Sequence, residues 1–157
     1  MIDIERMRLA IKEAEKNLLG IPAGGPFGAC IVKDGSVIAV ARNTVLREDA
    51  TCHAEINAIR RASSLIQSFD LSGCDIYSTT EPCPMCFSAI HWSRINRIFF
   101  GTTIEEAAVA GFNELFISTF RMAELGGSKV EIVSGILHKE CYRLFEQWKN
   151  FSGKEFY

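Results

Sequence analysis

Two short segments constrain this chain more than anything else in it: Thr51-Cys52-His53-Ala54-Glu55 and Glu81-Pro82-Cys83-Pro84-Met85-Cys86, with 27 residues between Glu55 and Cys83. A Cys-x-x-Cys pair at the start of a helix points two sulfurs at one ion, and one distant His supplies a third ligand. Any fold that uses them together must bring the start of one helix to the start of another. His53, Cys83 and Cys86 suffice for a catalytic zinc, because tetrahedral Zn²⁺ held by three protein groups keeps a fourth position for water, whereas a structural site closes with four Cys or His ligands. No fourth ligand has motif spacing, although Cys52, His91 and His138 are formal candidates.

The residues around the ligands fit that chemistry. Pro82 and Pro84 stiffen the turn, and the N-terminal dipole of a helix beginning near Pro84 favours thiolate at Cys83 and Cys86. Glu55 follows His53 by two residues, so its carboxylate can face the water without ligating the ion, take a proton from it and return that proton to a leaving nitrogen. His-x-Glu followed by Pro-Cys-x-x-Cys is the signature of the zinc deaminases. The alternative reading, a redox pair or a structural zinc knuckle with His53 and Glu55 unrelated to it, accounts for a lone Cys-x-x-Cys but not for the whole constellation.

The rest of the chain reads as one domain. Its 157 residues are 48% apolar and 23% charged, which is ordinary globular composition, and its formal net charge of −2 provides no global field for a phosphate backbone. Charges of both signs near the N-terminus, and no apolar run near the ~20 residues of a membrane span, favour a cytoplasmic protein without membrane association. In a reducing compartment clustered cysteines are metal ligands or catalytic groups more often than disulfides. Periodicity predicts helices over about 3–19, 54–65, 84–92 and 138–149, with shorter helical segments over 103–110 and 114–124. Strands are predicted over 27–33, 37–41, 75–79, 97–101 and 130–133, the first two joined by a hairpin at Asp34-Gly35. The order implies an α/β sheet covered by helices, with parallel pairing in its later half. Cys30, Cys74 and Cys141 read as buried apolar residues, Trp92 as either pocket edge or core, and 150–157 as a tail without regular structure but rich in aromatics.

The sequence resembles the cytidine and deoxycytidylate deaminase superfamily and, within it, the bacterial guanine deaminases. The matching stretches are Gly24 to Ala29, Ile31 to Gly35, Thr51 to Arg60, Glu81 to Cys86 and Ala89 to Arg94, with more selective likeness at Ala107 to Phe112 and in the aromatic tail ending at Tyr157. The resemblance implies a three-layer α/β/α fold with a mixed five-stranded sheet and helices on both faces. It implies one zinc per subunit on His53, Cys83 and Cys86, Glu55 as proton shuttle, and base binding by Phe27, Asn43, the amide of Ala54, Glu114 and Tyr157. It further implies a homodimer that exchanges its C-terminal segment, about 138–157. Where such relatives have Asp-Pro-Thr-Ala-His this chain has Asp49-Ala50-Thr51-Cys52-His53, and Glu114 stands where some have Asp.

The expected reaction is hydrolysis of guanine to xanthine and ammonia. Guanine presents adjacent N–H donors at N1 and N2, which the two oxygens of the Glu114 carboxylate can both accept, whereas adenine's N1 is an acceptor. The competing readings are a tRNA adenosine deaminase, a deaminase of another small substrate (guanosine, cytosine or an aminotriazine), and a noncatalytic zinc module. Basic and acidic residues nearly balance over 138–157, and the Arg/Lys run expected for nucleic-acid docking is missing, which makes a nucleic-acid partner the weaker expectation.

Overall fold

A computed structural model describes residues 4–157. Among these residues five strands form one sheet: β1 (Gly28–Lys33), β2 (Ser36–Arg42), β3 (Cys74–Thr80), β4 (Arg97–Thr102) and β5 (Glu131–Val133), in the order β2-β1-β3-β4-β5. β1 runs antiparallel to β2 and β3, while β3, β4 and β5 are parallel. The β1–β2 hairpin turns on Asp34 and Gly35 at φ +48° and +77°, the doubly left-handed geometry that matches strand twist.

The helices are α1 (Ile4–Glu15), α2 (Ala54–Ile66), α3 (Pro84–Trp92), α4 (Ile104–Val109), α5 (Thr119–Gly126) and α6 (His138–Asn150). Strand alternation sorts them into layers. Cys30, Val32, Tyr77 and Phe99 face the α1 and α6 side with Met7, Ala10, Ala14 and Leu144, whereas Ala29, Ile31, Ile76, Ile98 and Phe100 face Ala58, Ala62, Phe87 and Ile90 of α2 and α3. This is the expected three-layer α/β/α arrangement. Two glycines let helices approach the sheet closely: a Cβ at Gly28 would lie 2.0 Å from the Ala10 carbonyl oxygen, and one at Gly101 would lie 2.3 Å from Cys141 Sγ. Cys30, Cys74 and Cys141 are all buried, and burial pushes the Cys141 thiol up to about 12.

Three expectations need correction. The first helix continues only to Glu15 and ends in a 3₁₀ turn, Lys16–Leu18, while its expected start at Asp3 lies outside the described residues. The segment 113–118 is irregular rather than helical, and α5 begins at Thr119, because the Ser118 hydroxyl accepts from Arg121 N at 3.1 Å and fixes the helix start there. α4 is shorter than expected at both ends, with Thr103 outside it in a capping box with Glu106.

Asn17 connects the fold to the cavity described below. In the 3₁₀ turn that follows α1 it is fully buried, donates from Nδ2 to the carbonyls of Gly25 and Asn43, both at 2.8 Å, and accepts from Ala23 N at 3.2 Å. Replacing it with Ala leaves the Asn43 carbonyl and Ala23 N without their partner, and the Gly25 carbonyl with only Phe27 N at 2.8 Å. Asn17→Ala should lower the unfolding free energy in urea by about 2 kcal/mol or more, and an unchanged midpoint would contradict this reading of the hub.

Candidate active site

The parallel strands β3 and β4 end side by side, their terminal hydroxyls Thr80 Oγ1 and Thr102 Oγ1 2.8 Å apart, and the chain then turns through Glu81-Pro82-Cys83 into α3. His53 and Cys83 occupy the equivalent position on two helices, each the extended N-cap residue, of α2 and α3 respectively. Pro84 at the first position of α3 provides a preset φ where no N–H partner is needed. The two helix starts converge on one point.

His53 Nδ1 lies 3.6 Å from Cys83 Sγ and 3.6 Å from Cys86 Sγ, and the three ligand atoms all fall within 4.8 Å of one another. Tetrahedral zinc at ordinary Zn–S and Zn–N lengths separates a sulfur from a nitrogen ligand by about 3.5 Å, so the donor set fits the ion in both chemistry and spacing. Cys52 points elsewhere, its Sγ 3.4 Å from Arg60 Nη1, and among the described residues the cluster contains no fourth His or Cys.

Without a metal the three ligands are unevenly poised: Cys83 favours the thiolate, while Cys86 and His53 favour protonated forms whose protons a bound ion would displace. A hydrogen bond from Cys86, reinforced by His53, pulls Cys83 down to about 4 despite desolvation, and Cys86, more deeply buried, retains its proton and is raised. Burial opposes charge on His53, but the hydrogen bond to Cys83 and the charges of Glu55 and Cys83 outweigh it and raise its pKa. Glu55, on the first turn of α2, is buried beside the cluster with Oε2 3.4 Å from Cys86 Sγ. Burial raises its pKa, against the lowering effects of His53 and of a hydrogen bond from Ser78. The Ser78 hydroxyl lies 2.7 Å from Glu55 Oε1 and 2.6 Å from the Thr80 carbonyl. Its single proton serves one acceptor at a time: it goes to Glu55 when that carboxylate is ionised, and to Thr80 when Glu55 is protonated and itself donates to the hydroxyl.

Beside this cluster lies a cavity of about 260 Å³, and Phe27, Asn43, Glu114 and Tyr157 all line it together with His53, Glu55 and Cys83. Phe27 packs edge-on to Phe112 at 4.8 Å. Asn43 is buried, its Oδ1 accepting from Val45 N at 3.0 Å. Tyr157 Oη accepts from Gly25 N at 2.9 Å, and Gly25 leaves no space for a side chain, since a Cβ there would meet the Tyr157 hydroxyl at 2.8 Å. Burial raises the Tyr157 phenol, so it remains protonated. Glu114 is pushed up to about 7 by burial and then by the Cys83 charge, and no described side chain hydrogen-bonds its carboxylate. Ala54 is buried behind His53 as the first residue of α2, where a helix leaves its N–H without an intrahelical partner. Trp92 does not reach the cavity and is 76% exposed at the far end of α3, while His138 pairs with Glu106 at 2.7 Å on the surface.

Sequence reading assigned no role to three supporting residues. Asn17 signals itself as a polar residue at the end of an apolar helical stripe, and Ser78 as a hydroxyl between buried strand residues. Glu81 was visible only as part of its motif.

Comparison with known proteins agrees with the geometry. The family model for the cytidine and deoxycytidylate deaminase zinc-binding region matches residues 2–102. A guanine deaminase from Bacillus subtilis is 39% identical over 136 residues, 85% of this chain and 86% of the relative. A tRNA-specific adenosine deaminase from Haemophilus influenzae is 35% identical over 142 residues, 88% of this chain and 78% of the relative. The solved guanine deaminase from Nitrosomonas europaea superposes with a TM-score of 0.85 at 25% identity, covering 95% of this chain and 85% of the other. With its helix starts, His/Cys/Cys cluster and buried Glu55 in one place, the chain belongs to the cytidine and deoxycytidylate deaminase family.

Proposed function

We propose that this protein is a zinc-dependent hydrolase converting guanine to xanthine and ammonia, with one zinc per chain held by His53, Cys83 and Cys86. The observation that carries the choice of substrate is Glu114, a carboxylate without a side-chain partner lining the same cavity as Glu55. Its two oxygens accept guanine's N1–H and N2–H together, a charge-assisted pairing that an adenine edge cannot make. Zinc bound at the three ligands supplies Lewis-acid activation of water, bringing its pKa toward ~7.

The chain's own groups do the remainder. Phe27 offers an aromatic face to the flat base, Asn43 and the Ala54 amide supply further polar contacts, and Tyr157 closes the cavity against bulk water. Glu55 takes the proton from the attacking water, transfers it to the ring nitrogen, and delivers a proton to the departing amine. The C2–O bond forms and the C2–N bond breaks, so guanine and water give xanthine and ammonia. Ser78 supports both states of Glu55 by reorienting one hydroxyl proton.

Similarity to tRNA-specific adenosine deaminases makes a base within RNA the rival substrate. The charge balance argues against it: residues 138–157 carry nearly equal numbers of basic and acidic side chains, without the Arg/Lys run that would hold phosphates. No described helix is long and apolar enough to cross a membrane, and six free cysteines suit the reducing cytoplasm in which we place the protein.

In a single chain α6 and the tail pack on their own domain. We include in the proposal a homodimer that exchanges the segment of about 138–157, since exchange preserves these same contacts between two copies.

Three outcomes follow. Glu55→Gln should retain zinc and lose at least ~1,000-fold in kcat. Glu114→Gln, with one acceptor replaced by a donor, should lose about 10–100-fold in kcat/KM for guanine, and wild-type kinetics in either variant would contradict its assigned role. Deleting residues 151–157 should abolish turnover, and co-refolding that deletion with Glu55→Gln should restore activity if the tail acts on the partner; no restoration would refute exchange.

A further inference from the structure

Glu81 sits between the end of β3 and the metal-binding turn, is buried, and spends both carboxylate oxygens on parts of the chain remote in sequence. Oε2 accepts from Ile104 N at 3.1 Å, and Oε1 accepts from Thr119 N at 2.9 Å and from Thr119 Oγ1 at 3.0 Å. Ile104 and Thr119 are the first residues of α4 and α5, so one negative group satisfies the unpaired amides of two helix starts. Its own N–H donates to the Thr102 carbonyl at 2.8 Å, which fixes Glu81 to the end of the central sheet.

The segment that benefits is the one carrying Glu114. Residues 113–118 form neither helix nor strand, and Leu115 and Phe116 are each about two-thirds exposed. Among the described residues its backbone is hydrogen-bonded to the tail at one end, by Asn113 N to the Tyr157 carbonyl at 3.1 Å, and to α5 at the other, by Met122 N to the Ser118 carbonyl at 2.9 Å; the bonds of Glu114 N and Ile117 N are to neighbours within two residues. The α5 end is held where Glu81 grips Thr119.

We propose that Glu81 is a positioning residue: its carboxylate clasps the start of α5, and thereby aims Glu114, the guanine-reading carboxylate, into the cavity beside the zinc ligands. This rests on the proposed substrate reading and deepens it, since Glu81 joins the turn bearing Cys83 to the loop bearing the specificity group. A glutamine cannot do the same, because it has one acceptor oxygen and its amide N–H would face a backbone N–H. An aspartate is one methylene too short to span both helix starts.

The test uses the full-length, zinc-loaded protein with Glu81→Gln, Thr119→Ala and Thr119→Ser. Glu81→Gln should bind zinc as wild type does, raise KM for guanine about tenfold with a smaller change in kcat, and accelerate amide hydrogen exchange over 113–119 while leaving 54–66 unchanged. Thr119→Ala should show a weaker version of both effects and Thr119→Ser should behave as wild type. Wild-type KM and exchange in both Glu81→Gln and Thr119→Ala would overturn the proposal. So would loss of zinc and kcat without faster exchange at 113–119, which would place Glu81 in service of the metal turn alone. Should Glu81→Gln fail to fold, the Thr119 pair decides. If the wild-type protein does not deaminate guanine, the substrate reading fails, and the exchange measurement still decides whether Glu81 holds the loop.

Discussion

The structure depends on the price of burying ionisable groups in one place. An imidazole, two thiols and the carboxylates of Glu55, Glu81 and Glu114 share a small volume at the end of β3, and each charge removed from water there must be compensated by a neighbour. The compensation is local and specific. Cys86 shares its proton with Cys83, Ser78 donates to Glu55, and the amides of two helix starts surround Glu81. Glu114 alone has no such side-chain partner among the described residues, and burial, with the Cys83 charge, raises its pKa. It is the group for which a ligand with two N–H donors would complete the set.

The sheet makes this crowding possible. Because β3 and β4 are parallel, both end on the same side, and the chain leaves β3 directly into the helix that carries Cys86. Ala54, Ala58 and Ala62 recur along the buried side of α2, and these small side chains seat that helix close to the sheet with His53 at its start. On the opposite layer Gly28 and Gly101 allow α1 and α6 to approach, which brings Asn17 against Gly25 and Asn43 and the last residue of the tail, Tyr157, to the cavity wall.

Much of this was legible in the sequence wherever a local rule had no competitor. Asp34-Gly35 specified its hairpin, Pro84 its helix start, and the alternation of strands and helices the layered sheet. The convergence of His53 with Cys83 and Cys86 followed from ligand spacing. The rest depended on partners distant in the chain. Residues 114–118 have acceptable helical propensity, but Ser118 caps α5 and Glu81 fixes its first residue, so the helix starts late and Glu114 stays in an irregular loop. Neither Asn17 nor Ser78 carries a motif, and their roles appear only when Asn43 and Glu55 lie beside them. Trp92 had an ambiguous pattern, and the outward orientation of the last turn of α3 resolves it as surface.

In the proposed function the cavity selects a free guanine through the Glu114 carboxylate, which lines it together with His53 and Cys83. This selection is tested most directly by ammonia release from guanine, guanosine, adenine, cytosine and a tRNA anticodon stem-loop, with zinc content determined on the same sample. Guanine should turn over well above every other substrate, in proportion to bound zinc. Preference for the stem-loop, or equal turnover of guanine and adenine by fully loaded protein, would contradict it.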